Sequence, residues 1–197
     1  PFSKTGQNWG FPTYNWDEMA KDGFGWWKQR FQKMQDYFDA YRVDHILGFF
    51  RIWQMRKTDV WGLCGHFVPA LPYSFDDLCA QGVCLDWDRM TKPYIRSNFL
   101  GDVLGYDTEW AKNNALQTRD GYIYWFRPEF DTQAKVQAWY DALMAEEKAL
   151  AATGLSAEAA KNLCDGLIYL HCEVLMVEDQ KNAGWLHPRI SIYQSHS

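Results

Sequence analysis

What the chain has little of narrows its possibilities first. No apolar run in its 197 residues approaches the roughly 20 residues that a bilayer-spanning helix needs, so no membrane partner is expected. There is no basic excess either. Twenty Lys and Arg stand against 25 Asp and Glu, a formal net charge of −5, which leaves no electrostatic stripe for a nucleic-acid partner. No basic stretch followed by an apolar one opens the sequence, so no signal peptide is visible. Repeats and low-complexity tracts are absent. Cysteine is sparse and scattered: Cys64, Cys79, Cys84, Cys164 and Cys172, an odd number without close repeats, argue against a disulfide framework and fit a reducing cytoplasm. Cys79 and Cys84 with His66 match no familiar zinc spacing, and a fourth ligand is not evident, so no metal and no cofactor is expected.

What the chain has in quantity is aromatic surface. Nearly half the residues are apolar and 17% are aromatic, with eleven tryptophans, enough for one good core plus flat platforms on which sugars stack. Near the start, Gly6, Gly10 and Pro12 mark a turn-rich loop around Gln7, Asn8 and Trp9. Amides that donate and accept beside one indole face have the chemistry that holds a sugar; Trp9 could equally anchor the loop to the core.

Further on, Tyr41-Arg42-Val43-Asp44-His45 reads as a strand end. Alternation there puts Arg42 and Asp44 on one side and Val43 and His45 on the other. A carboxylate beside a guanidinium stays ionised and aimed, as a nucleophile must, and the same spacing also describes a structural ion pair.

Between these motifs Asn15 or Asp17 can cap a helix that Asp22-Gly23 interrupts. Trp27, Phe31, Met34 and Phe38 then fall on one helical face. Helix, strand and terminal polar pair make one step of a βα-barrel, in which catalytic residues sit at the carboxyl ends of strands. Downstream, Ser74 and Asp77 have the form of a capping box, and Asp120-Gly121 a turn before the aromatic run 122–126. Asp131 or Thr132 can open a helix with Val136, Trp139, Leu143 and Leu150 on one face, closed by Gly154. Ser156 starts another, which Asp165-Gly166 is expected to stop; residues 167–177 are β-prone, with helix left open. Glu173, Glu178 and Asp179, close in sequence to His171, read as structural.

The runs GQNWGFPTYNW (6–16), the pair Trp26-Trp27, and YRVDHILGFFRIW (41–53), in this order and spacing, resemble the 4-alpha-glucanotransferases of glycoside hydrolase family 77, the amylomaltases or disproportionating enzymes. Residues beyond about 57 resemble the plant-cytosolic-type subgroup, whose catalytic barrel is split by a long insertion. The resemblance implies an α/β fold: part of a (β/α)8 TIM-type barrel over 1–57, a long, mainly helical insertion over 58–187, and a return toward the barrel over 188–197. It implies retaining transfer of α-1,4-glucan segments among maltose, maltodextrins or glycogen, with Asp44 as nucleophile, Arg42 keeping it ionised, and Gln7, Trp9 and His45 binding sugar.

The family's acid/base glutamate lies in a later Glu-Asp-Leu-Gly motif that does not occur here. Its third catalytic carboxylate, an aspartate, lies later still. The one Glu-Asp dipeptide, Glu178-Asp179, continues as Gln180-Lys181. The expectation is therefore an internal fragment, with an upstream part before Pro1, that carries the nucleophile without its partner and is inactive alone. A non-catalytic carbohydrate-binding module and an α-amylase-like hydrolase are the alternatives, and the oligomeric state is open.

Overall fold

The computed structural model describes residues 5–189, which divide into two compact units. The smaller comprises residues 9–54 and 67–69. Its first helix, α1 (Trp16–Lys21), starts where the Asn15 side chain accepts the Glu18 N–H at 3.3 Å. It ends at Asp22, where Gly23 takes a φ of +66°. The Asp22 carboxylate then accepts the N–H of Gly25 at 2.9 Å and so helps open α2 (Gly25–Gln35).

Trp27, Phe31 and Met34 on α2 are half-buried, and Phe38, beyond the helix end, is 60% exposed. Trp27 is the hub of this unit. Its ring centroid lies 5.2 Å from Tyr14, 4.9 Å from Trp26, 5.5 Å from Phe31 and 5.1 Å from Phe49. No residue of the unit is fully buried, so its cohesion rests on such ring pairs, each worth about 0.5–1.5 kcal/mol beyond area burial.

The expected strand at 41–45 does not form. The segment is irregular and passes into a 3-10 turn at Ile46–Phe49, with His45 in the left-handed region at φ 54°, ψ 51°. A strand exists only through its neighbours' hydrogen bonds, and among the described residues no other strand pairs with 41–45. The pairing here is made further on, by β1 (Ile52–Gln54) with β2 (His66–Val68).

The larger unit takes in residues 5–8, 55–66 and 70–189. It runs through β3 (Tyr73–Ser74), α3 (Phe75–Ala80), α4 (Trp87–Thr91), β4 (Ile95–Arg96), α5 (Ser97–Leu104), α6 (Thr108–Asn114), β5 (Leu116–Thr118) and β6 (Ile123–Phe126). It continues through α7 (Gln133–Ala145), α8 (Glu147–Thr153), α9 (Ala157–His171), β7 (Met176–Glu178) and β8 (Trp185–Pro188). Two antiparallel three-stranded sheets result, β4-β6-β5 and β3-β8-β7.

The mixed α/β character is as the sequence implied, but the described residues build no barrel. Their strands are two to four residues long and the three-stranded sheets are antiparallel, whereas a barrel needs parallel strands closed edge to edge. Residues 190–197, most of the expected return segment, lie outside the described residues, as do residues 1–4.

Local signals account for most boundaries. Ser74 and Asp77 form the capping box of α3, Thr132 caps α7 and Ser156 caps α9. Asp120 Oδ1 accepts the N–H groups of Tyr122 and Ile123 at 2.8 and 2.9 Å, and this fixes the turn into β6.

Two further expectations need correction. The helix carrying Val136 to Leu150 is two helices, α7 and α8, because Glu146 is extended at φ −134° and ψ 111°. Asp165-Gly166 does not stop α9. Gly166 is instead the point where α9 meets α5: a Cβ there would stand 2.5 Å from Leu104 Cδ2. The missing side chain makes room for that contact, which offsets glycine's cost of roughly 1 kcal/mol within a helix. The buried core gathers on this helix, with Leu163, Cys164, Leu167, Ile168 and Leu170 against Ile95, Leu100, Leu116 and Val136.

Candidate functional site

In the smaller unit the motif 42–45 lies on the irregular segment ahead of the 3-10 turn. Arg42 Nη2 is 3.4 Å from Asp44 Oδ1, and the two side chains are 86% and 90% exposed. Solvent screens such a pair, so Asp44 is presented openly. His45 accepts the N–H of Gly48 on its carbonyl at 2.9 Å. A Cβ on Gly48 would stand 2.9 Å from His45 Cδ2, so the glycine in the sequence His-Ile-Leu-Gly leaves the imidazole its place. Trp9 is 69% exposed, with its ring centroid 6.3 Å from that of Phe11.

Gln7 is exposed and belongs to the larger unit, where its loop is tied down by backbone. Gly6, at φ +73°, faces Gly62 so closely that a Cβ would meet Gly62 Cα at 3.0 Å. The Gly62 N–H reaches Thr5 O at 2.9 Å. Asn8, read from sequence as half of a sugar-binding amide pair, donates instead to the carbonyls of Asp59 and Val60 at 3.0 and 3.2 Å. Residues 59–61 are held in turn. Arg56 grips the buried Asp59 carboxylate through Nε at 3.2 Å and Nη2 at 2.9 Å. Gln133, 2% exposed, accepts the N–H groups of Val60 and Trp61 at 2.8 and 2.9 Å. Sequence reasoning did not single out Gln133; no local pattern links it to residues more than seventy positions earlier.

The acids near His171 are dispersed. His171 donates to Phe130 O at 2.8 Å and stacks on Phe126, with ring centroids 3.7 Å apart. Glu173 faces Arg189 at 3.5 Å, and Asp179 pairs with His187 at 2.7 Å. A groove of about 670 Å³ runs beside α5 and α9. Its walls include Phe99, Tyr106, Tyr169, Asp102 and Asn162, a mixture of ring faces and hydrogen-bonding groups suited to a polyol.

The sequence profile of glycoside hydrolase family 77, 4-alpha-glucanotransferase, matches residues 1–179. The chain belongs to the 4-alpha-glucanotransferase family. Its similarity to 4-alpha-glucanotransferase DPE2 of Oryza sativa subsp. japonica is 37% identity over 190 residues, 96% of this chain and 19% of the rice protein. A chloroplastic/amyloplastic 4-alpha-glucanotransferase of Solanum tuberosum is 30% identical over 182 residues, 85% of this chain and 31% of the potato protein. One from Aquifex aeolicus is 44% identical over 108 residues, 55% of this chain and 20% of that protein. The chain thus spans 19% and 31% of the two glucanotransferases it resembles over most of its length. No solved structure matches it. Among the described residues no helix is long and apolar enough to cross a membrane.

Proposed function

We propose that this chain is the nucleophile-bearing part of an enzyme that transfers α-1,4-glucan segments between malto-oligosaccharide or glycogen-type donors and acceptors. The observation that carries the proposal is the order Gln7, Trp9, Arg42-Val43-Asp44-His45 within a family match running from residue 1 to 179. In a retaining transfer one Asp44 oxygen attacks the anomeric carbon. The glycosidic C–O bond breaks as a second carboxyl group, roughly 5–5.5 Å away, gives its proton to the leaving glucan. The same group then takes the proton of an acceptor hydroxyl, which displaces Asp44 and restores it.

Arg42 orients the nucleophile; His45 and the indole of Trp9 hold sugar, with Gln7 offering hydrogen bonds from its loop. The second carboxyl group belongs to the Glu-Asp-Leu-Gly motif that this sequence lacks, so the chain by itself is inactive. Residues 58–187 are the insertion that interrupts the barrel in this reading. The five free cysteines accord with a reducing cytoplasm.

A second reading, a carbohydrate-binding module, is favoured by the groove beside α5 and α9. One experiment separates the two. The full-length protein that contains this chain is given maltotriose, with and without Asp44→Asn, and tested for retardation in a glycogen-containing gel. Glucose plus longer maltodextrins, abolished by the substitution, is the expected result. Shorter sugars alone indicate hydrolysis, while no turnover together with glycogen retardation unaffected by Asp44→Asn assigns a binding module. Either outcome refutes the transferase.

A further inference from the structure

The chain has a second cluster of chemically active side chains, distinct from the motif at 42–45. His66 opens β2, His187 lies on β8, and Asp179 follows β7 in the turn that leads to β8. All three belong to the larger unit. The two imidazole rings stack with centroids 4.0 Å apart and planes 10° apart, and His187 Nε2 is 2.7 Å from Asp179 Oδ2. Each residue offers one ligand atom, and these atoms all lie within 4.8 Å of one another. His66 and His187 are 5% and 3% exposed. His66 Nδ1 is shut away from solvent without a hydrogen-bond partner. Buried polar atoms almost always find one, so an orphaned nitrogen on an imidazole that stacks against a histidine and belongs to a cluster with a carboxylate calls for an explanation.

We propose that His66, Asp179 and His187 form a binding site for a divalent cation of the zinc type. Two imidazoles and one carboxylate suit zinc better than magnesium or calcium, which prefer oxygen throughout. Zinc–ligand bonds of about 2.0–2.1 Å in a tetrahedron place ligand atoms roughly 3.3 Å apart. The atoms now lie within 4.8 Å of one another, so binding the ion requires side-chain rotations that bring them closer.

The ligands are also prepared for the task. The N–H groups of Lys181 and Asn182, both at 2.8 Å, hold Asp179 Oδ1 and leave Oδ2 toward His187. Such outer bonds are what orients a metal-binding carboxylate. When the cation enters, the proton between His187 and Asp179 moves to the other ring nitrogen or leaves. Three protein ligands leave a fourth position for water. The ion would fasten His66 to the β7–β8 hairpin within the larger unit.

The test is Zn²⁺ titrated calorimetrically into the purified protein after chelator treatment, with Co²⁺ as a spectroscopic substitute. One equivalent should bind, with affinity reduced about 100-fold or more in His66→Ala and Asp179→Asn. Co²⁺ should give visible bands without the near-ultraviolet thiolate absorption that cysteine ligation produces. Because a variant can fail to fold, the wild-type protein also supplies a readout. Zn²⁺ should shift the imidazole ¹⁵N resonances of His66 and His187 and leave His171 in place. No binding below millimolar Zn²⁺, a thiolate band, or unmoved His66 and His187 resonances would overturn the site.

Discussion

Gln133→Met tests the idea that one buried amide positions the first loop. Methionine keeps the volume of the side chain but removes the oxygen that accepts from Val60 and Trp61 at 2.8 and 2.9 Å. It also removes the donor to Cys172 Sγ at 3.5 Å. Val60 and Trp61 are only partly buried, so each orphaned N–H recovers some solvation and costs about 1 kcal/mol rather than the full penalty. The sum is about 2 kcal/mol. With a urea slope near 2 kcal/mol/M, the unfolding midpoint should fall by about 1 M. Locally, 2 kcal/mol corresponds to roughly 30-fold faster amide exchange at residues 60 and 61. The Asn8 side-chain amide, which bonds to the carbonyls of Asp59 and Val60, should lose protection with them. Gln133→Glu retains an acceptor and should recover much of the loss. An unchanged midpoint with unchanged exchange at 60 and 61 would refute the reasoning.

Acid should destabilise the fold through His171. Burial pushes this imidazole down to about 4, against the pull of its bond to Phe130 O. The unfolded chain takes up the proton near 6.5 and the native one does not, so stability falls as pH drops from 6.5 toward 4, by up to about 3 kcal/mol. Urea midpoints at pH 7, 5.5 and 4 should fall less steeply in His171→Gln, and identical slopes would count against the assignment. At the helix contact, Gly166→Ala adds a methyl 2.5 Å from Leu104 Cδ2, and overpacking of this kind costs about 1–3 kcal/mol, which outweighs the roughly 1 kcal/mol that alanine regains within a helix. Thermal unfolding should show a lowered midpoint; an unchanged one would mean that Leu104 moves aside freely.

What could be read from sequence was what residues do within three or four positions of themselves. Asn15, Ser74 with Asp77, Thr132, Ser156 and Asp120 all announce themselves because their side chains bond nearby N–H groups. The strand at 41–45 failed for the opposite reason, since alternation describes which way side chains would face but supplies no neighbouring strand. Gly166 was misread because its role is set by Leu104, sixty residues earlier in another helix. The motif Gln7, Trp9 and 42–45 was legible as chemistry and family likeness. The bonding of Asn8 to residues 59 and 60 was not, because fifty intervening residues carry no trace of it. His66 and Asp179 were noticed only beside other residues, and their contacts with His187 were not foreseen.

The approach of Gly6 to Gly62 sets a rule for how this part of the chain can vary. Two side chains in contact can trade volume, one shrinking as the other grows. Two glycines have nothing to give up: a Cβ on Gly6 meets Gly62 Cα at 3.0 Å, and one on Gly62 meets the Gln7 nitrogen at 3.1 Å. No second substitution in the pair can repair the first. The loop bearing Gln7 is therefore spaced from residues 59–62 by the thickness of bare main chain, and any redesign of its reach has to be made in its length or at its exposed positions.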